Sequence, residues 1–315
     1  LSASFNIGFN RSRIDNLGEN TEWEETSGWL GTASGPTGDY LVRTGEPIGL
    51  MYGYQTDGMY SFDDFDYDES SNTYILKDGV PDNRTLIGAR QFGPGALKFV
   101  NQPGDTTSVA GVSGRMHPAI NAEDKVIIGD ANPKHTGGFS VSTQYKGFDC
   151  SVFFNWVYGN DIYNANKLYF TGNSARPHKN MLAFMNSDNA FTYMDKTTGL
   201  PAGSRDRLME MNKDATLWAA TMSSTPLHSW GVEDGSFLRL NNVTVGYSLP
   251  KAWLTRMKIG QLRVYATGYN LWLWTNYSGF DPEVDTRRST PVTPGVDWCA
   301  YPRSRSYNVG LNLVF

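Results

Sequence analysis

Catalysis needs acids, bases, nucleophiles or metal ligands at workable spacing, and in this chain those types are scattered. The four histidines, His117, His135, His178 and His228, form no H-E-x-x-H or other paired spacing, and neither G-x-S-x-G nor G-x-x-x-x-G-K occurs. GVSGR at 111–115 is only superficially like a nucleophile elbow. Cys150 and Cys299 lie far apart with no C-x-x-C, so neither a zinc site nor a disulfide framework follows. The acidic run DDFDYDES at 63–70 lacks the Gly hinge and closing Glu of a calcium loop and reads as solvated. We expect no enzyme, no cofactor and no metal.

Binding chemistry is better represented. Flat aromatic faces stack on sugar rings or hold peptide side chains, while Asn, Asp and Arg bond hydroxyls and amides. The candidates are Trp23, Trp29, Asn160, Asp161, Tyr163, Trp218, Trp230, Trp298 and Tyr301. Each could equally be a packing residue. In NYSGFDPEV (276–284) turn chemistry alone accounts for Gly279, Asp281 and Pro282 together, and that reading is preferred to a docking role.

The elements that must position these residues are strands. Aromatic residues make up 13% and charged residues 19% of the 315 residues, with 33 glycines, a balance that favours many strands and aromatic-rich loops. A net charge of −5 gives no reason to expect nucleic acid. No run approaches the ~20 apolar residues of a membrane helix. Period-2 alternation instead marks eight strands, at about 1–12, 39–44, 48–60, 136–145, 148–160, 236–249, 262–274 and 304–315. The firmest is the hairpin 136–160, turning at Lys146-Gly147. In 236–249, Leu238 and Leu240 follow one register and Val243, Val245 and Tyr247 the other, which predicts a bulge at Asn241-Asn242. A helical turn is expected at Lys251 to Met257.

Short turns alternate with long connections at 15–38, 61–135, 161–235 and 275–303. That is the organisation of an outer-membrane β-barrel with its long loops outside. Lipid offers no hydrogen-bond partners, so a spanning sheet must close on itself. A soluble β-sandwich alternates in the same way, but connections of about 75 residues are rare there. Both ends of the chain fall inside a strand, and we expect a piece of a longer protein. Trp156, Tyr158, Trp272 and Trp274 fall where strands would leave the membrane, with Trp253 at the opposite interface, which suits aromatic girdles.

VEDGSFLRLNNVTVGYSLP, LRVYATGYNLWLWTNYSGFDPEV and the closing YPRSRSYNVGLNLVF resemble the C-terminal part of the SusC/RagA family of TonB-dependent outer-membrane transporters. NPKHTGGFSVSTQYKGFDCSVFFNWVYGNDIYN is similar to the preceding hairpin of that family, and GEPIGLMYGYQTDGMY to a segment further upstream. The resemblance implies an all-β transmembrane barrel of about twenty-two strands, of which residues 1–315 supply about the last eight, with plug, TonB-contacting segment and signal peptide upstream. It further implies import of oligosaccharides or peptides across a Gram-negative outer membrane, driven through TonB, with a SusD-like surface lipoprotein as lid. A family DxNGDG loop is replaced here by a stretch (98–130) without alternating oxygen ligands, so no metal site carries over. Tyr307, Val309, Leu311, Leu313 and Phe315 resemble the C-terminal assembly signal of such barrels. The alternatives are a non-transporting surface adhesin and a soluble carbohydrate-binding β module.

Overall fold

In a computed structural model of the chain, residues 1–29, 38–88, 92–111, 113–172, 180–286 and 290–315 are described. His178 and Val112 lie outside them. The frame is one antiparallel sheet of six strands in sequence order. They are β1 (Ser2–Gly8), β2 (His135–Tyr145), β3 (Phe148–Tyr158), β4 (Phe237–Ser248), β5 (Gln261–Thr275) and β6 (Ser306–Val314).

The strand period sorts this sheet into two faces. Register aligns Ala3, Val141, Val152, Val243 and Gly268 with Tyr307 across it, and the neighbouring row runs Val245, Ala266, Val309. On the opposite face Ser2 bonds Ser142 and Ser4 bonds Ser140, each at 2.7 Å, and Thr244 bonds Thr267 at 2.9 Å. Among the described residues nothing covers the apolar face: Val245 is 48%, Trp272 55%, Leu311 59% and Val309 82% exposed. A sandwich would bury such a face under a second sheet, and in water an apolar surface this broad is an association site.

The expected hairpin turns at Lys146 and Gly147, whose φ of 47° and 90° give the left-handed pair of a tight two-residue loop. The expected bulge is present. Phe153 pairs Asn242 and Phe154 pairs Leu240, so Asn241 is the extra residue that flips the register. Beside it Asn270 takes φ 51°. A helix at Lys251–Met257 connects β4 to β5.

Two of the eight expected strands do not belong to this sheet. Residues 39–44 and 48–60 contribute Tyr40–Arg43 and Leu50–Tyr54 to a separate four-stranded sheet with Glu22–Glu25 and Lys125–Asp130. Their burial explains the departure: Tyr40, Leu41, Val42, Leu50 and Met51 are buried whatever their parity, whereas a two-faced sheet strand buries alternate residues at most.

The three long connections, β1 to β2, β3 to β4 and β5 to β6, all leave one end of the sheet and fold together as a cap. A small sheet orders Val232–Asp234, Asp161–Asn164 and Val296–Asp297, the last two parallel and drawn from different connections. The cap core unites Trp29, Tyr40 and Met51 from the first connection, Tyr163, Leu168 and Leu227 from the second, and Val296 from the third.

Candidate functional site

The polar face of the sheet carries charge and rings. Arg263 donates to both oxygens of Asp149, at 2.9 and 2.5 Å, spanning β4 over Gly246, where a Cβ would stand 2.6 Å from each partner. Tyr265 lies flat across Gly310, at which any Cβ would meet the ring at 2.3 Å. Aromatic–glycine pairing of this kind fixes the register of β5 against β6 while keeping a flat ring on the wall.

Ion pairs hold the cap to this wall. Arg239, on the polar face of β4, donates to Asp281 at 2.6 Å, and its Nε stands 2.9 Å from Glu283 as an ion pair without hydrogen-bond alignment. Both Arg239 and Asp281 are buried. Arg303 reaches the other oxygen of Glu283 at 3.2 Å. Asp281 also accepts the Glu283 N–H at 2.9 Å, so the FDPE turn is built as a structural clamp. Glu233 serves as a second hub, accepting from Asn164 and from both Ser278 N and Oγ, and pairing with Lys167 at 3.2 Å.

Asp39 and His228 are among the buried ionisable groups of the cap. Asp39 accepts from Ser27 N at 2.7 Å and from Ser27 Oγ; burial pushes its pKa up to about 6, against the pull of the Ser27 bonds. His228 is packed among Phe99, Trp218 and Trp230, with ring centroids 5.6, 5.7 and 6.4 Å away. Burial, and secondarily the charge of Lys167, lower its pKa to about 3, and neither ring nitrogen has a partner among the described residues.

The nine binding candidates separate under this geometry. Trp29, Tyr163 and Trp218 are core residues, with the Trp29 indole donating to the Tyr163 hydroxyl, so protein covers the faces a ligand would need. This corrects the expectation for those three; a large ring in a loop is buried once three connections pack on it. Trp230 and Trp298 are half-buried, Trp230 beneath Lys167 Nζ at 4.1 Å and Trp298 at 5.1 Å from Trp29. Asn160 accepts the Gly235 N–H with its backbone carbonyl, 2.8 Å. Trp23 and Tyr301 remain exposed. Asp161 accepts the Asp130 N–H at 2.8 Å, has its pKa raised by burial, and lines a polar cleft of about 640 Å³ between cap and sheet with Arg11, Asp130, Lys134 and Asp234.

The girdle candidates occupy the two ends of the sheet. Trp156, Tyr158, Trp272 and Trp274 lie near the long-connection ends of β3 and β5, and Trp253 is exposed in the helix at the other end. In the acidic run, Asp64 pairs with Lys98 at 3.2 Å, Asp66 with Arg115 at 2.9 Å, and Asp68 accepts from Ser70 and Ser71. Among the described residues no group of three or more acidic, His or Cys side chains could hold a metal. The clamp and the Arg263–Asp149 pair went unread in the sequence. Their signal was an Arg or Asp at polar-face parity inside an apolar strand, as in Leu238-Arg239-Leu240.

No protein-family model matches the chain. It is 29% identical over 279 residues, 87% of its length, to TonB-dependent receptor P3 of Formosa agariphila, and covers 23% of that protein. It is 26% identical over 260 residues, 80% of its length, to TonB-dependent receptor SusC of Bacteroides thetaiotaomicron, covering 22% of it. The chain thus spans about a quarter of the length of the curated relatives it matches. Among solved structures, the RagAB peptide transporter superposes on 99% of the chain with a TM-score of 0.62 at 20% identity, covering 26% of that chain, a likeness of fold.

Proposed function

We propose that this chain, homologous to TonB-dependent receptors including SusC, forms part of the wall and outer cap of a Gram-negative outer-membrane importer for oligosaccharides or peptides. The observation that carries it is the exposed apolar face running unbroken across all six strands. In lipid that face is favourable, each apolar residue contributing about 0.3–0.6 kcal/mol, whereas in water it would aggregate. With that face toward lipid, the Arg263–Asp149 and Ser–Ser face lines a wet lumen, and closure into a barrel pairs each of the edges β1 and β6 with a strand that these six do not supply. The three long connections, 9–134, 159–236 and 276–305, then stand outside the cell as the cap.

On this reading the chain is not an enzyme. Energy comes from TonB, and a SusD-like surface lipoprotein closes over the cap. Exposed Trp23 and Tyr301 are the sequence candidates best able to meet substrate or lid, and β6, from Tyr307 through Val309, Leu311 and Leu313 to Phe315, serves as the assembly signal. The test is to delete the gene in the source bacterium and measure uptake of a panel of glycans and peptides. Uptake of at least one should collapse; unchanged uptake of every member overturns import. Recovery of the full-length protein in the aqueous fraction without detergent overturns the membrane reading.

A further inference from the structure

Where the apolar belt meets the cap, the lipid-side surface of the sheet is not smooth. Register places His135, Trp156, Tyr158, Leu238 and Trp274 on the apolar face in adjacent rows of four strands. They line a groove of about 530 Å³ whose upper rim includes Asp234 and Ser236. The 640 Å³ polar cleft continues it, since the two share Tyr158, Asp234 and Ser236. One continuous depression therefore begins among indoles on the membrane side and ends among charges at the foot of the cap.

Its floor is rigid. Trp156 Nε1 donates to His135 Nδ1 at 3.0 Å, and the His135 ring stacks on Tyr158 at 4.9 Å and 16°. Phe5 stacks on Trp156 at 5.5 Å, and the Trp156 ring crosses Gly137, where a Cβ would stand 2.3 Å away. Beyond Tyr158 two exposed cations, Arg11 and Lys134, border the cleft. The nearby carboxylates are partly committed: Asp130 Oδ1 accepts from Asn132, Asp161 Oδ2 from the Asp130 N–H, and Asp234 Oδ1 from the Ser236 N–H. Each keeps a second oxygen able to accept a hydroxyl.

The chemistry that matches all of this is amphipathic. Flat rings stack on a pyranose, carboxylates and amides bond its hydroxyls, exposed cations on the rim attract a phosphate, and indoles at the membrane boundary receive acyl chains. A free nutrient saccharide has no use for the apolar end, and a simple phospholipid headgroup leaves a sugar-sized polar cleft unfilled. We infer that the groove and cleft together bind the phosphorylated saccharide headgroup of an outer-leaflet glycolipid, whose acyl chains descend over Trp156 and Trp274. The inference rests on the membrane orientation proposed above.

The experiment uses the full-length protein extracted from its native outer membrane in mild detergent. Native mass spectrometry would follow retained lipid, and delipidated protein would be re-equilibrated with lipopolysaccharide, phosphatidylethanolamine or inorganic phosphate. The parent should retain lipopolysaccharide in preference to both others. Arg11→Ala and Lys134→Ala should each weaken retention about fivefold, the contribution of one cation near an anionic surface, and Tyr158→Ala should weaken it without altering the cap's proteolytic pattern. Since both cations are exposed, these variants should keep the fold. Unchanged retention in Arg11→Ala/Lys134→Ala, or equal retention of phospholipid or phosphate, overturns the inference. A protein absent from the outer-membrane fraction would instead overturn the importer reading on which it depends.

Discussion

Replacing Arg239 by Ala removes the only cation from a buried pair. The guanidinium and the Asp281 carboxylate have 4% and 7% of their side-chain surface exposed and stand 2.6 Å apart. Without Arg239, Asp281 keeps the Glu283 N–H, and Glu283 keeps the half-exposed Arg303. An uncompensated buried carboxylate costs about 3–5 kcal/mol, and the loss should fall locally on the connection that Asp281 anchors. At about 1.4 kcal/mol per decade, hydrogen exchange of peptides within 276–286 should accelerate by two to three orders of magnitude, roughly, in the detergent-solubilised protein. Arg239→Leu combined with Asp281→Asn and Glu283→Gln removes the stranded charges and should recover most of the protection, because neutral replacement of a buried pair is often tolerated. Unchanged exchange in Arg239→Ala, or exchange equally fast in the charge-free variant, would refute the clamp as an electrostatic device.

Trp29→Ala should destabilise the cap by about 3–5 kcal/mol through cavity formation, read as protease sensitivity across all three connections rather than as a selective loss of substrate affinity. The cap should also have a stability window in pH, measured by hydrogen exchange of cap peptides. His228, lowered from 6.5 to about 3, supports the fold fully above 6.5 and loses that support as pH falls toward 3; Asp39, raised from 3.8 to about 6, does so fully below 3.8 and loses it as pH rises through 6. His228→Phe should flatten the acid limb and Asp39→Asn the neutral limb, and persistence of both slopes would contradict the assignment. Leu311→Arg should cost about 2–4 kcal/mol and reduce the assembled protein in the outer membrane, whereas Asn312→Arg, on the polar face, should assemble normally; equal yields would exclude a lipid-facing β6.

Much of the sheet was legible because a strand writes its environment locally, every second residue. That period gave the two faces of β2 through β6, the turn at Lys146-Gly147, the slip at Asn241 and the alternation of short and long connections. A bulge changes parity within a few residues, so it too shows in a short window. Charge partners were less accessible. Arg239 and Asp281 are 42 positions apart, and Arg263 and Asp149 are 114, distances over which no local pattern signals a pair.

What the sequence could not distinguish was an aromatic ring offered to a ligand from one buried in a core. Trp29, Tyr163 and Trp218 have the same loop surroundings as Trp23 and Tyr301, yet the first three are covered and the last two are not. The same limit misassigned Tyr40–Arg43 and Leu50–Tyr54, whose apolar runs suit a lipid-facing strand as well as a buried one. The sequence by itself determined which residues alternate, and therefore that a two-faced sheet forms. Tertiary structure alone decided which rings and strands sank into the cap, because burial there depends on three separate connections, from Trp29 to Val296 along the chain, meeting over one small core.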